Sequence, residues 1–365
     1  MKLGIVGLPN AGKSTLFSAI MQTAAEASNY PFSTIDPNVG RALVPDERLE
    51  MLNKMYSSKS VIAATVEMVD IAGLIKGASQ GEGMGNQFLS HIREVDAIVH
   101  VVRCFVDPNV IHVYDTVDPV RDIETVDLEL IFSDLEMVDR RLQKVVKTAR
   151  VDKSFQREAD ILAQIKEALE QGKPARSIKW DDADDIKLVE SFTLITQKPV
   201  LYAADVAEDE LNGDITPGSP LEALVNYATS EGATYYVSCA KLESEIALLD
   251  PEEKQMFLEE LGLAESGLDR LINAGYEMLG LISFLTAGEK EVRAWTVRRN
   301  TKAPQAAGKI HSDLERGFIR AEVVAYNDLM ESGSYTAAKE KGLVRIEGKE
   351  YIVQDGDVMH IRFNV

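Results

Sequence analysis

At 365 residues the chain is too long for one ordinary domain, and its 45% hydrophobic content suffices for two or three packed cores. No run approaches the roughly 18 apolar residues of a membrane span, the first residues enter a strand with no signal-peptide core, and Cys104 and Cys239 lie in apolar runs. A cytoplasmic protein with buried free thiols and no membrane partner is expected. The net charge of −20 is uneven: residues 280–365 hold 13 basic and 12 acidic side chains, the rest 26 and 47, which argues against generic attraction to DNA or RNA.

The apolar run Leu3 to Val6 predicts a strand, and directly after it Gly7-Leu8-Pro9-Asn10-Ala11-Gly12-Lys13-Ser14-Thr15 fits G-x-x-x-x-G-K-[ST]. The terminal glycines let the backbone curl so that the N–H groups of Asn10, Ala11, Gly12, Lys13, Ser14 and Thr15 point at phosphate oxygens. Lys13 then serves the β- and γ-phosphates, Ser14 offers a hydroxyl to Mg²⁺, and the helix that follows aims its positive end at the same anion. Residues 24–40, with Pro31 and Pro37, read as a loop in which Thr34 is placed to close over Mg²⁺ and the γ-phosphate.

Ala64 to Val69 predicts a buried strand ending at Asp70-Ile71-Ala72-Gly73. An Asp there can hold Mg²⁺ or its water, and Gly73 can bring a backbone N–H to the γ-phosphate. Four glycines between Leu74 and Gln87 suit a second switch. Leu74 stands where small GTPases place a water-orienting Gln, so slow hydrolysis, or a catalytic group from elsewhere, is expected. Ala97 to Val102 predicts a central parallel strand with His100 as a core histidine.

Leu128, Ile131, Leu135, Val138, Leu142, Val145 and Ala149 recur in steps of 3 and 4, as in a coiled coil, and Phe155, Ala159, Leu162, Ile165 and Leu169 form a second stripe. An antiparallel hairpin is predicted. Its far end, residues 140–157, carries Arg140, Arg141, Lys144, Lys147, Arg150, Lys153 and Arg157 against the single acid Asp152, which suits a docking site. The α/β pattern resumes with a helix over 184–196, a strand over 199–206, a helix over 220–230 and a strand over 234–239. Asp205-Val206-Ala207-Glu208 and Ser238-Cys239-Ala240-Lys241 end these strands, making Asp205, Val206, Glu208, Ser238, Cys239 and Ala240 candidates for the nucleobase end of the site. An acidic link over 243–260 leads to a small α+β C-terminal domain, with strands near 292–297, 319–325, 351–353 and 358–363 and a helix near 307–314.

These segments, with Tyr30-Pro31-Phe32, Glu291-Val292-Arg293-Ala294-Trp295-Thr296, Ala303 to His311 and Asp355-Gly356-Asp357-Val358, closely resemble the YchF-type Obg-like ATPases, a branch of the translation-factor P-loop GTPases. The resemblance covers nearly the whole chain. It implies an α/β fold: a G-domain-like doubly wound sheet over 1–122 and 186–280, a coiled-coil insertion over 123–185, and a C-terminal ubiquitin-like β-grasp (TGS) domain over 281–365. It also implies a Mg²⁺-dependent hydrolase that prefers ATP to GTP and meets the ribosome and its RNA through the basic hairpin end and the TGS domain, with no DNA partner. Leu74 becomes the family's hydrophobic substitute for the catalytic Gln, and His112 matches the His proposed to assist hydrolysis. The alternative is an Obg-type GTPase acting in ribosome assembly. One position departs from the family pattern: Asp205 stands where N-x-x-E is usual. An ionised Asp cannot donate to guanine N7 or O6 but can accept from the adenine amine, while Glu208 still resembles the acid that reads guanine.

Overall fold

The computed structural model describes residues 1–26, 38–71, 84–211 and 213–364. In chain order the strands and helices are β1 (Lys2–Val6), α1 (Lys13–Glu26), β2 (Val39–Leu43), α2 (Glu47–Tyr56), β3 (Val61–Ile62), β4 (Thr65–Asp70), α3 (Met84–Glu94), β5 (Ala97–Arg103), α4 (Pro119–Ala149), α5 (Gln156–Glu170), α6 (Ala183–Ser191), β6 (Val200–Asp205), α7 (Pro220–Glu231) and β7 (Thr234–Ser238). There follow α8 (Ala240–Ile246), α9 (Pro251–Glu260), α10 (Gly267–Met278), β8 (Leu281–Ala287), β9 (Val292–Arg298), α11 (Ala303–Ile310), α12 (Ser312–Arg316), β10 (Phe318–Ala325), α13 (Tyr326–Ser332), α14 (Tyr335–Glu340), β11 (Arg345–Glu347) and β12 (Asp357–Phe363).

Two compact units result, one of Met1–Arg41 with Glu67–Leu271, the other of Ala42–Val66 with Ile272–Val365. The first is built on a sheet of order β2-β4-β1-β5-β6-β7, in which β4, β1, β5, β6 and β7 pair in parallel. Its central strands are apolar on both faces: every residue of β5 and β6 is buried, as helices on each side require. His100 is 2% exposed within β5 and tilted against Tyr202. Burial, with the nearby Arg176 and Lys13 cations, pushes its pKa down to about 3, so it is a neutral core histidine. The carboxyl ends of β1, β4, β5, β6 and β7 carry the candidate site, as the doubly wound arrangement dictates.

Helix α4 begins nine residues before the apolar stripe does. Asp118 caps it by accepting from Arg121 N, and Pro119 opens the first turn with its φ already helical. Ile131, Val138 and Val145 of the stripe pack against Ala159, Leu162, Ile165 and Leu169 of α5, and Ala149 is buried, whereas Leu128 and Phe155 are exposed. The helix expected over 184–196 stops at Ser191, because the buried Asp134 carboxylate collects the N–H groups of Ile195 and Thr196 and holds that segment in a turn. The acidic stretch 243–260, expected as a link, supplies much of α8 and all of α9; Asp250 and Glu253 form a capping box around Pro251, so acids that read as solvated charge start a helix.

The second unit holds a mixed sheet of order β11-β10-β12-β8-β9-β3, with β12 and β8 parallel at its middle. Helix α11 lays Ala303, Ala306 and Ala307 on Ile282, Phe284, Val297 and Val323, small residues that allow a close approach of helix to sheet. Residues 42–66, placed by the sequence reading within the nucleotide domain, join this unit: β3 pairs with β9, and Arg48 binds both Asp46 and Asp355. Near 351–353 an isolated bridge, Lys302 to Ile352, stands in place of the expected strand.

Candidate nucleotide site

The loop after β1 has the backbone its sequence demands. Gly12 has φ +88°, and a Cβ there would stand 2.4 Å from Asp205 Oδ2; at Gly7 a Cβ would stand 2.4 Å from the Val101 carbonyl oxygen, which cannot yield. Asn10 also takes a left-handed φ, +61°. Helix α1 starts at Lys13 with no acid in its first turn, and Ser14 and Thr15 are exposed, so the positive end of the helix opens to solvent. Lys13 is buried and donates through Nζ to the Leu8 carbonyl at 2.9 Å. Burial holds its pKa below the usual lysine range, and the nearby Asp70 pulls it back up. For Asp70 the signs reverse, burial raising it and Lys13 lowering it. A buried cation and a carboxylate thus meet at the mouth of an open anion cradle.

Asp70 Oδ1 is buried and finds no hydrogen-bond partner among the described residues. A hard divalent cation would satisfy such an oxygen, and Ser14, expected as its other ligand, exposes its side chain at the start of α1. Among the described residues no group of three or more His, Cys, Asp or Glu could form an all-protein metal cage. The unpartnered Asp70 oxygen therefore fits Mg²⁺ held by few protein ligands and substrate phosphates. Thr34 and Gly73, the other residues expected here, lie outside the described residues.

At the strand ends expected to face the nucleobase, the structure brings Asp205, Ser238, Cys239 and Ala240 together through the β6–β7 register, which sets Asp205 beside Ser238. Asp205 is 5% exposed; Oδ1 accepts from Ala240 N at 2.8 Å, and Oδ2 faces Gly12. Burial pushes its pKa up to about 6 against the Ala240 hydrogen bond and the Arg103 charge. The sequence expectation that Asp205 reaches for the base therefore meets a competing geometry, since its oxygens serve the turn before α8 and the phosphate loop. Val206 packs in the core and gives its N–H to the Ser238 carbonyl. Ser238 is buried under the Tyr236 hydroxyl, Cys239 is buried at the start of α8, and Glu208 is exposed.

His112 stands on the loop after β5. Its Nε2 lies 2.8 Å from Asp122 Oδ2 in the first turn of α4, and its Nδ1 accepts from Tyr114 N. Asn10 Nδ2 donates to the neighbouring Ile111 carbonyl at 3.1 Å, tying this loop to the phosphate loop. The buried Arg103 holds the same loop from inside by donating to the carbonyls of Phe105, Asp107 and Val110. Arg103 and Asp122 escaped the sequence reading. A charged residue closing the run 97–102, apolar but for His100, was the available signal for the first; for Asp122 it was an acid one turn into a capped helix.

At the far end of the hairpin, ion pairs thin the basic cluster. Arg141 binds Glu158 and stacks on Phe192, Arg157 binds Asp182 and Asp185, and Arg140 pairs with Glu136. Lys144, Lys147, Arg150 and Lys153 stay exposed with no ion pair among the described residues.

Two family models match: a 50S ribosome-binding GTPase over residues 2–145, and a YchF-GTPase C-terminal model, described as a protein of unknown function, over residues 281–364. The chain is 57% identical to the ribosome-binding ATPase YchF of Bacillus subtilis over 363 residues, 99% of each chain. It is 45% identical to Obg-like ATPase 1 of Oryza sativa over 368 residues, covering all of this chain and 92% of that one. Among solved structures, the Schizosaccharomyces pombe YchF GTPase superposes with a TM-score of 0.89 at 38% identity, covering 99% of this chain and 97% of that one. On sequence, full-length coverage and fold alike, the chain belongs to the YchF family.

Proposed function

We propose that the chain is a ribosome-binding, Mg²⁺-dependent P-loop hydrolase that prefers ATP to GTP, turns it over slowly, and uses its nucleotide state to control docking. The observation that carries this is the open cradle at the start of α1, with buried Lys13 beside the partnerless Asp70 Oδ1. The relatives' printed name, ribosome-binding ATPase, supports the ribosome binding and the ATP hydrolysis.

Backbone N–H groups from Asn10 to Thr15 orient the phosphates, and Lys13 exchanges its bond to the Leu8 carbonyl for phosphate oxygens. Ser14 and Asp70, joined by Thr34, would hold Mg²⁺, which when bound neutralises charge on the β- and γ-phosphates. The Gly73 N–H serves the γ-phosphate. Leu74 can neither donate to nor accept from water, so hydrolysis leans on His112 and is slow. Base choice follows from Asp205. Its carboxylate consumes the Ala240 N–H and offers no donor of its own, so guanine loses partners for both O6 and N7, while adenine, which has no carbonyl and whose N6 amine donates, loses only the one to N7. Val206, Glu208, Ser238 and Cys239 line the strand ends around the base. The exposed Lys144, Lys147, Arg150 and Lys153, with the TGS domain, meet ribosomal RNA.

The test is Lys13→Ala. Each hydrogen bond to a charged group is worth about 1.5–3 kcal/mol, so losing the one cation of the motif removes triphosphate binding or turnover. Wild-type affinity and turnover in that variant would contradict the assignment.

A further inference from the structure

The contact between His112 and Asp122 points to a function for the start of α4. Asp122 is 4% exposed; Oδ2 takes His112 Nε2 at 2.8 Å and Oδ1 takes the Arg121 guanidinium at 3.0 Å. The other imidazole nitrogen, Nδ1, accepts the Tyr114 N–H at 3.1 Å. A nitrogen that accepts a hydrogen bond carries no proton, so the ring is the neutral tautomer whose single N–H sits on Nε2 and is given to Asp122. Both ring nitrogens are therefore spent on protein partners. In a catalytic His–Asp pair the carboxylate binds one nitrogen and leaves the other free to act; here the second nitrogen is closed by backbone. Arg121 completes the hold, lying 4.6 Å over the Tyr114 ring and donating to the Thr116 carbonyl at 2.6 Å.

We infer that Asp122 is a positioning residue that parks His112 away from work, so that turnover assisted by His112 requires the Asp122 bond to break. This rests on the reading of His112 as the group that assists hydrolysis. The latch lies in the first turn of α4, the 31-residue helix whose other end carries Lys144 and Lys147. A displacement of that first turn thus acts on the nucleotide site without any contact to the nucleotide.

Steady-state ATP hydrolysis by the full chain tests this with Asp122→Ala, Asp122→Asn, His112→Ala and the double variant D122A/H112A, alongside ¹⁵N NMR of the imidazole. Asp122→Ala should raise kcat, by at most the roughly ten- to hundredfold that one hydrogen bond to a charged group represents, with KM little changed. Asp122→Asn, whose amide oxygen still accepts but carries no charge, should raise kcat less, and it carries the test alone if the alanine variant does not fold. The double variant should fall to the level of His112→Ala. The wild-type His112 spectrum should show a protonated Nε2, and Asp122→Ala should release the ring to exchange between tautomers. A lower kcat in the Asp122 variants would show that Asp122 orients a working His112 and overturn the proposal. Unchanged kcat in them, with His112→Ala impaired, would overturn the proposal alone. Wild-type turnover in His112→Ala would overturn the His112 reading and this inference together.

Discussion

Burial lifts the Asp205 carboxyl from the ordinary Asp range to about 6 while an unfolded chain would titrate it near the usual value. Between about pH 4 and pH 6 the folded protein therefore holds a proton that the unfolded chain has lost. Stability falls as pH rises through that window and levels off above it. Asp205→Asn removes the ionisation, keeps an acceptor for the Ala240 N–H and restores a donor, so it should stabilise the nucleotide unit by about 1–3 kcal/mol at pH 7–8. Its advantage should vanish near pH 4, and thermal unfolding across pH 4–8 measures both. A variant less stable than wild type at pH 7.5 would show that the carboxylate charge is needed where it sits. The phosphate loop was legible in the sequence because nine consecutive residues specify it. The partners of Asp205 were not, since Ala240 and Gly12 reach it only through the register of β6 on β7 and the turn of a distant loop.

The long helix α4 is anchored to the sheet at the element scale by a buried polar network. Arg176 donates to Asp127 Oδ2 at 2.7 Å, and the fully buried Tyr202 donates to Glu231 at 2.8 Å beside it. Burial raises the Asp127 pKa, and the Arg176 charge and hydrogen bond oppose the rise. Removing Asp127 leaves the buried Arg176 only the longer Glu231 contact at 3.6 Å, so Asp127→Ala should cost up to about 3–5 kcal/mol by chemical denaturation. Asp127→Leu with Arg176→Met should recover most of the loss; an unrecovered double variant would mean the network specifies the hairpin base beyond its charge balance. Apolar period revealed the body of α4 and α5, because that is what packs. It missed the first turn of α4, set by the Asp118 cap and Pro119, and it missed α8 and α9, whose acids serve helix starts. Charge counting likewise found a basic end, but geometry takes Arg140, Arg141 and Arg157 into ion pairs. Reversing Lys144, Lys147, Arg150 and Lys153 to Glu should weaken ribosome co-sedimentation, and wild-type association should fall with salt as counterions are displaced. Sedimentation indifferent to both changes would return these lysines and the arginine to plain surface.

On the scale of the whole molecule, the fold class followed from the sequence, while the make-up of the second unit did not. Residues 42–66 belong with 272–365 because a two-residue strand, Val61–Ile62, pairs with β9 and because Arg48 spans Asp46 and Asp355. Neither contact has a local signature, since each links positions more than two hundred residues apart. The segments on either side of this stretch, residues 27–37 and 72–83, are the ones that the sequence reads as nucleotide-sensing. The proposed catalytic, switching and docking roles are assigned to a triphosphate site proposed to favour adenine. Calorimetric titration of the wild-type chain with non-hydrolysable ATP and GTP analogues in the presence of Mg²⁺ tests that property most directly. With one more hydrogen bond unmet for guanine than for adenine at Asp205 and Ala240, ATP should bind roughly ten- to a hundredfold more tightly; equal affinities, or tighter binding of GTP, would contradict the account.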